Sequence, residues 1–182
     1  MPAPVMVHFR AGTAGRWRIE RIDRVAGETL AVADCLDVVE GEPPGGPPPV
    51  WTLTGCTSNE RYVERRERTA LVAVQEPPGR PAATCAALIP VRKSAAWWEL
   101  PQDERRSILE EQSRHIAVGL EYLPAVSRRL HHARDLGGPF DFLTWFEFAP
   151  SDAGRFDELV ARLRGTPEWA YVDREVDVRL AR

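Results

Sequence analysis

The chain has 182 residues, 43% hydrophobic and 28% charged, with a formal net charge of −3. That length fits one domain, or one domain with an appendage, and the apolar share supports a sizeable core. The slightly acidic balance excludes a global basic field that would recruit nucleic acid, and no apolar run is long enough to cross a bilayer.

Cys35, Cys56 and Cys85 are odd in number and widely spaced, so they build neither a disulfide framework nor a zinc knuckle. Reduced thiols in a cytoplasm are the simplest expectation. Met1 to His8 show no positive region followed by an apolar stretch, so no secretory signal is expected. Short strands are expected over residues 5–9 and 17–24. Residues 41–49, Gly41-Glu42-Pro43-Pro44-Gly45-Gly46-Pro47-Pro48-Pro49, exclude helix and central strand and read as an exposed loop. Residues 50–54 alternate like a strand, and residues 64–74 read as a short charged helix with Leu71 and Val74 turned inward. The chain is expected to divide into residues 1–82, which carry the loop, and residues 83–182, together forming one compact domain. A loose two-fold duplication of strand–helix–strand units is a further expectation.

The second half has clearer patterning. Residues 85–91 are apolar with β-branched members and read as a strand. Pro101 opens a helix, where its missing N–H leaves nothing unsatisfied. On that helix Ile108, Gln112, His115 and Gly119 form one stripe, flanked by Leu109, Ile116 and Leu120, so His115 is expected to face inward. Pro124 ends the helix. Residues 125–134 form a strand, 135–139 a turn and 140–148 a second strand. Ser151 is expected to cap a helix in which Phe156, Leu159, Val160 and Leu163 face one side. Thr166-Pro167-Glu168-Trp169 starts one more turn, and Val176, Val178 and Leu180 alternate in a last strand. The order β-α-β-β-α-β is the ferredoxin-like pattern of an α+β fold, whose bare sheet face often pairs with another sheet into a barrel.

Each candidate residue carries two readings. His115 is either a satisfied core histidine or a metal ligand through its neutral ring nitrogen. Glu111 stands four residues before it, but no further ligands with recognisable spacing complete a non-haem metal site. Arg128, between Val126 and Leu130 on an expected strand, either pairs with a carboxylate or awaits an anion. Glu168 either complements a helix N-terminus or accepts the N–H of a ligating imidazole. Trp97, Trp98 and Trp145 suit a core or the wall of a flat macrocycle, and Lys93 and Tyr62 suit the surface or the carboxylates of such a ring. His131 and His132, adjacent on a strand, should point to opposite faces, and His8 has no obvious partner.

The segment Ala87-Leu88-Ile89-Pro90-Val91-Arg92-Lys93-Ser94-Ala95-Ala96-Trp97-Trp98, with Asp103-Glu104-Arg105-Arg106 and the stretch carrying His115, resembles the chlorite dismutase family. The likeness continues through Tyr122-Leu123-Pro124-Ala125-Val126, Arg129-Leu130-His131-His132 and Phe140-Asp141-Phe142-Leu143-Thr144-Trp145-Phe146-Glu147. It ends with Trp169 and Tyr171-Val172-Asp173-Arg174. It covers residues 51–182, and the short chain is similar to the two-subunit branch. The resemblance implies a dimeric α+β barrel fold, a homodimer and haem b as cofactor. It implies His115 as the proximal iron ligand, Glu168 as acceptor of its other ring proton, and Arg128 as the distal arginine with Gln75 as its neighbour. Tyr62, Lys93 and Trp97 would border the haem edge and propionates.

The implied activity is conversion of chlorite to chloride and dioxygen. Oxygen-atom transfer would leave a hypochlorite-like species that must stay and recombine. A permanently charged, fork-shaped guanidinium such as that of Arg128 could hold both anions. No distal histidine for peroxidase-type acid–base chemistry is evident. The alternatives are a weak peroxidase, a porphyrin decarboxylase, or a non-catalytic haem-binding module. Relatives that decarboxylate coproporphyrin haem generally lack the distal arginine.

Overall fold

Eight strands close into a barrel in the computed structural model, which describes residues 5–43, 45–57 and 77–182. The first four are β1 (Met6–Gly12), β2 (Trp17–Ala26), β3 (Cys35–Glu40) and β4 (Trp51–Thr57). Strands were expected at three of these places, and β3 was not. The described part of 41–49 is irregular and largely exposed, as its prolines and glycines require. The expected helix over 64–74 lies outside the described residues, as do Tyr62 and Gln75.

The second half contains β5 (Cys85–Lys93), two five-residue helices α1 (Ala95–Glu99) and α2 (Gln102–Arg106), and a π-helical stretch (Ser107–Gln112). Then come α3 (His115–Glu121), β6 (Val126–His132), β7 (Phe142–Phe148), α4 (Ala153–Arg164), a 3-10 turn (Pro167–Tyr171) and β8 (Val172–Ala181).

The strands run β4-β1-β3-β2-β8-β5-β7-β6, and β6 closes on β4 through Cys56↔His132 and Thr57↔His131. Numbered within its own half, each set of four strands has the same antiparallel order, fourth-first-third-second. The strand order is therefore duplicated, but the expected strand–helix–strand unit is not: residues 13–16 alone join β1 to β2, whereas helices join β5 to β6 and β7 to β8. The sheet that completes the barrel is the chain's own N-terminal half.

Two apolar layers hold the fold. Inside the barrel pack Phe9, Leu36, Leu88, Leu143, Trp145 and Val178, each at most 3% exposed. Outside, α3 and α4 cover β5, β6 and β7, burying Ile89, Val118, Phe146, Phe156, Leu159 and Leu163. The α4 stripe Phe156, Leu159, Val160 and Leu163 is buried as its spacing predicts. The Ser151 cap is not found: a 3-10 turn (Pro150–Asp152) precedes α4, whose N-cap is Asp152 with no side-chain cap bond.

His131 and His132 face opposite ways, as expected. His132 meets Phe142 edge-on, while His131 lies inside the barrel against Phe9. His131 is 1% exposed; its Nδ1–H donates to the Leu143 carbonyl at 3.0 Å, and its Nε2 is buried without a partner. Burial pushes its pKa down to about 4, aided by Arg129 and His132 and opposed by the Leu143 carbonyl and Glu40. The unfolded chain takes up this proton near pH 6.5, whereas the folded chain resists it. Stability from this group is thus lost as pH falls from 6.5 towards 4, on the order of 3 kcal/mol in total. In urea titrations at pH 7 and pH 4.5, His131→Phe should lose less stability on acidification than the parent. Equal losses would show that His131 does not set the acid sensitivity.

Candidate active site

The site lies in the outer layer, between the sheet and α3. The expected continuous helix through His115 is interrupted. The π-helical stretch ends at Gln112, and Arg114 adopts a left-handed conformation (φ 51°, ψ 37°). Such backbone is strained for a side-chain-bearing residue and concentrates at functional sites. His115 opens a new helix, so the stripe running from Ile108 through Gln112 does not reach it, and Gln112 is exposed. Glu110 caps the new helix, its Oε1 accepting the Ile116 N–H at 2.7 Å. Glu111 belongs to the preceding segment and accepts from Ser107 Oγ at 2.7 Å. No group of three or more His, Cys, Asp or Glu that could hold a metal exists among the described residues. Glu111 and His115 belong to separate helical segments.

His115 is joined to two residues far away in sequence. Its Nδ1 lies 2.8 Å from Oε2 of Glu168, whose Oε1 accepts from Lys93 Nζ at 2.7 Å. Glu168 is 4% and Lys93 5% exposed, so this is a buried ion pair with an imidazole attached. Burial alone would raise the Glu168 pKa. The His115 imidazole and Lys93 ammonium outweigh it and hold the carboxyl at about 2. An ionised carboxylate only accepts, so a hydrogen sits on Nδ1, which leaves Nε2 as the nitrogen that a ligand can meet. His115 stays 27% exposed, with that nitrogen available to a ligand.

Supporting groups fix this arrangement. Ser113 Oγ accepts the Glu168 N–H at 3.0 Å. Asp141 Oδ2 accepts the Lys93 N–H at 2.7 Å and the Trp98 indole N–H at 3.3 Å. The Lys93 ammonium lies 4.8 Å from the Trp97 ring and 5.2 Å from the Trp169 ring. Trp169 in turn lies nearly parallel to the His115 ring, at 15° and 6.3 Å between centroids. Sequence reasoning gave Ser113, Asp141 and the stacked Trp169 no role in the site; Asp141 and Trp169 entered only within the motifs that carry the family likeness.

Glu168→Gln removes the charge that Lys93 was buried against. Breaking one partner of such a pair costs about 3–5 kcal/mol, because the survivor remains uncompensated. The variant should unfold at markedly lower urea, whereas the double variant Lys93→Met/Glu168→Gln should recover much of the loss. A single variant as stable as the parent would show that the pair is not held dry.

Arg128 projects from the sheet into the same layer. It pairs with Phe146 across β6 and β7, and Val126 with Phe148, so Arg128 shares the face that α3 covers. Its guanidinium reaches Gly119 on α3, where an added Cβ would fall on the Nη1 and Cζ atoms. Burial pulls its pKa down, and the Glu110 carboxylate opposes this. Imidazole and guanidinium thus enter one layer from its two walls.

Trp97 is 3% exposed, and its Nε1–H is buried with no acceptor among the described residues. Trp145 belongs instead to the barrel interior, beside Phe9 and Trp17, with Nε1 on Glu147. Of the two readings of Trp145, the core one holds. His8 also has a partner, with Nδ1 2.9 Å from Thr54 Oγ1. A cavity of about 220 Å³ lies between β4 and the β6–β7 connection, lined by Thr52, Thr54, Leu136 and Phe140 among others. Its lining has no charged group and no imidazole, so it lacks the chemistry found around His115.

Comparison with known proteins identifies the family. The chlorite dismutase family model matches residues 47–182. A chlorite dismutase from Ideonella dechloratans is 38% identical over 86 residues, 47% of this chain, and the match spans only 28% of that longer protein. The crystal structure of a dimeric chlorite dismutase from Nitrobacter winogradskyi superposes with a TM-score of 0.90 at 55% identity, covering 97% of this chain and 99% of that one. A mutant chlorite dismutase from Candidatus Nitrospira defluvii, at 19% identity and TM-score 0.67 over 98% and 92% of the two chains, shares the fold. The chain therefore belongs to the chlorite dismutase family.

Proposed function

We propose that this chain binds haem b through Nε2 of His115 and converts chlorite into chloride and dioxygen. The observation that carries the reading is the buried His115–Glu168–Lys93 series, which frees one imidazole nitrogen in a layer that a guanidinium enters from the other wall. The donor set fits haem: a single imidazole suffices when a porphyrin supplies the equatorial nitrogens. The unsatisfied Trp97 Nε1–H fits a carboxylate at the macrocycle's rim.

Bound haem supplies a redox-active iron able to take an oxygen atom from chlorite. The protein does the rest. Glu168 fixes the ring tautomer and strengthens His115 as a donor. Lys93 keeps Glu168 charged. Arg128 would draw in the chlorite anion and hold its chlorine-containing product within the site. The assignments of Gln75 and Tyr62 rest on the family likeness, since both lie outside the described residues.

A homodimer follows from likeness to the Nitrobacter protein, whose structure is described as dimeric. Three unpaired cysteines support a reducing, cytoplasmic setting. Closure of the barrel between the halves supports reading 1–82 and 83–182 as one domain.

The test is hemin titration of the purified chain followed by chlorite addition in an oxygen electrode. A Soret band with steady oxygen release is the expected result. Failure to take up hemin would overturn the cofactor. Uptake without oxygen release would leave a haem-binding protein of another kind.

A further inference from the structure

Trp169 packs against the outer apolar cluster, but its polar contacts have no part in the roles above. Its indole lies almost parallel to the His115 ring, with 6.3 Å between centroids. Its Nε1–H donates to Glu175 Oε2 at 2.7 Å, and Glu175 is 1% exposed. Behind Glu175, Arg164 bridges to Asp177, and Arg179 links Asp177 to the exposed Asp157. On the other side, the Trp97 and Tyr171 rings stand 5.5 Å apart, with the Lys93 ammonium between Trp97 and Trp169.

An indole beside a buried carboxylate is easier to oxidise, because the negative charge stabilises the cation left by a departing electron. Lys93 opposes this from 5.2 Å and Arg164 from its 2.7 Å contact with Glu175, but Glu168 offsets the first of these charges and Asp177, 3.1 Å from Arg164, shares the second. Trp169 is therefore the described aromatic residue that stacks on His115 and is also hydrogen-bonded to a buried anion.

We propose that Trp169 is a one-electron donor to the haem held by His115, oxidised when the haem receives oxidising equivalents without a partner anion to consume them. This rests on the haem reading above. With a peracid as oxidant, the O–O bond breaks, the carboxylic acid leaves with the peracid's own proton, and the second oxygen atom stays at the haem. Of the two electrons this takes, the iron gives one and the Trp169 indole the other. The indole proton stays in the hydrogen bond to Glu175. Such a donor would drain the equivalents stranded whenever a chlorine-containing intermediate escapes.

The test uses the ferric haem-loaded protein mixed with one equivalent of peracetic acid, frozen within milliseconds and examined by electron paramagnetic resonance. The expected signal is an organic radical whose hyperfine width narrows when the protein is made with ring-deuterated tryptophan. Trp169→Phe should lose more than nine-tenths of it, with its Soret band retained. Glu175→Gln, which keeps the indole but removes the charge, should reduce the yield several-fold. Absence of a radical in the parent, no narrowing on deuteration, or a full-strength signal in a haem-loaded Trp169→Phe would each overturn the proposal. A parent chain that takes up no hemin would instead defeat the haem reading itself.

Discussion

His115→Ala is expected to yield a protein that folds but does not hold haem. His115 remains 27% exposed and belongs to neither apolar core cluster, so truncation leaves both layers intact. Loss of a group that merely supports a ligand lowers metal affinity by roughly 10- to 100-fold, so loss of the ligand should exceed that. Equimolar hemin should leave the Soret band of the parent absent, and added imidazole should restore part of it by occupying the vacated volume. A variant that loads fully would remove His115 from the iron.

Arg128→Ala should retain haem and lose function. A fixed cationic donor at the point where anionic charge develops is worth roughly 10²- to 10³-fold in turnover. Chlorite turnover, followed by oxygen release, should fall within that range. The enzyme should also bleach after fewer turnovers, because a product no longer held can escape and attack the porphyrin. Arg128→Lys keeps the charge but not the two-pronged geometry and should fall between the two. An alanine variant with unchanged turnover and unchanged lifetime would remove this role.

Much of the second half was legible in the residues themselves. Strands near 85–91 and 140–148 and the α4 stripe follow from spacing alone, because each buries one continuous apolar face. Three features were not legible. In β3, Asp37 and Glu40 interrupt the run of Leu36, Val38 and Val39, so neither alternation nor a continuous apolar run stands out. Helix α1 has five residues, too few to show a period. The break at Arg114 has no glycine or proline to announce it, so the stretch resembled one amphipathic helix.

The candidate site divides similarly. His115, Glu168 and Lys93 were each named, but their junction depends on contacts spanning 53 and 75 positions, which no local pattern encodes. The family likeness supplied the first of these contacts, but it put Lys93 at the haem edge and propionates, whereas its ammonium is paired with Glu168. The backing by Ser113 and Asp141 came only from three-dimensional packing.

The closure of β6 onto β4 has a consequence for assembly. A sheet that completes its own circle offers a twin no free strand to extend, so two subunits must associate through helices, loops or outward side chains. His115, Glu168, Lys93 and Arg128 all come from one polypeptide. A subunit separated from its twin would keep that whole quartet.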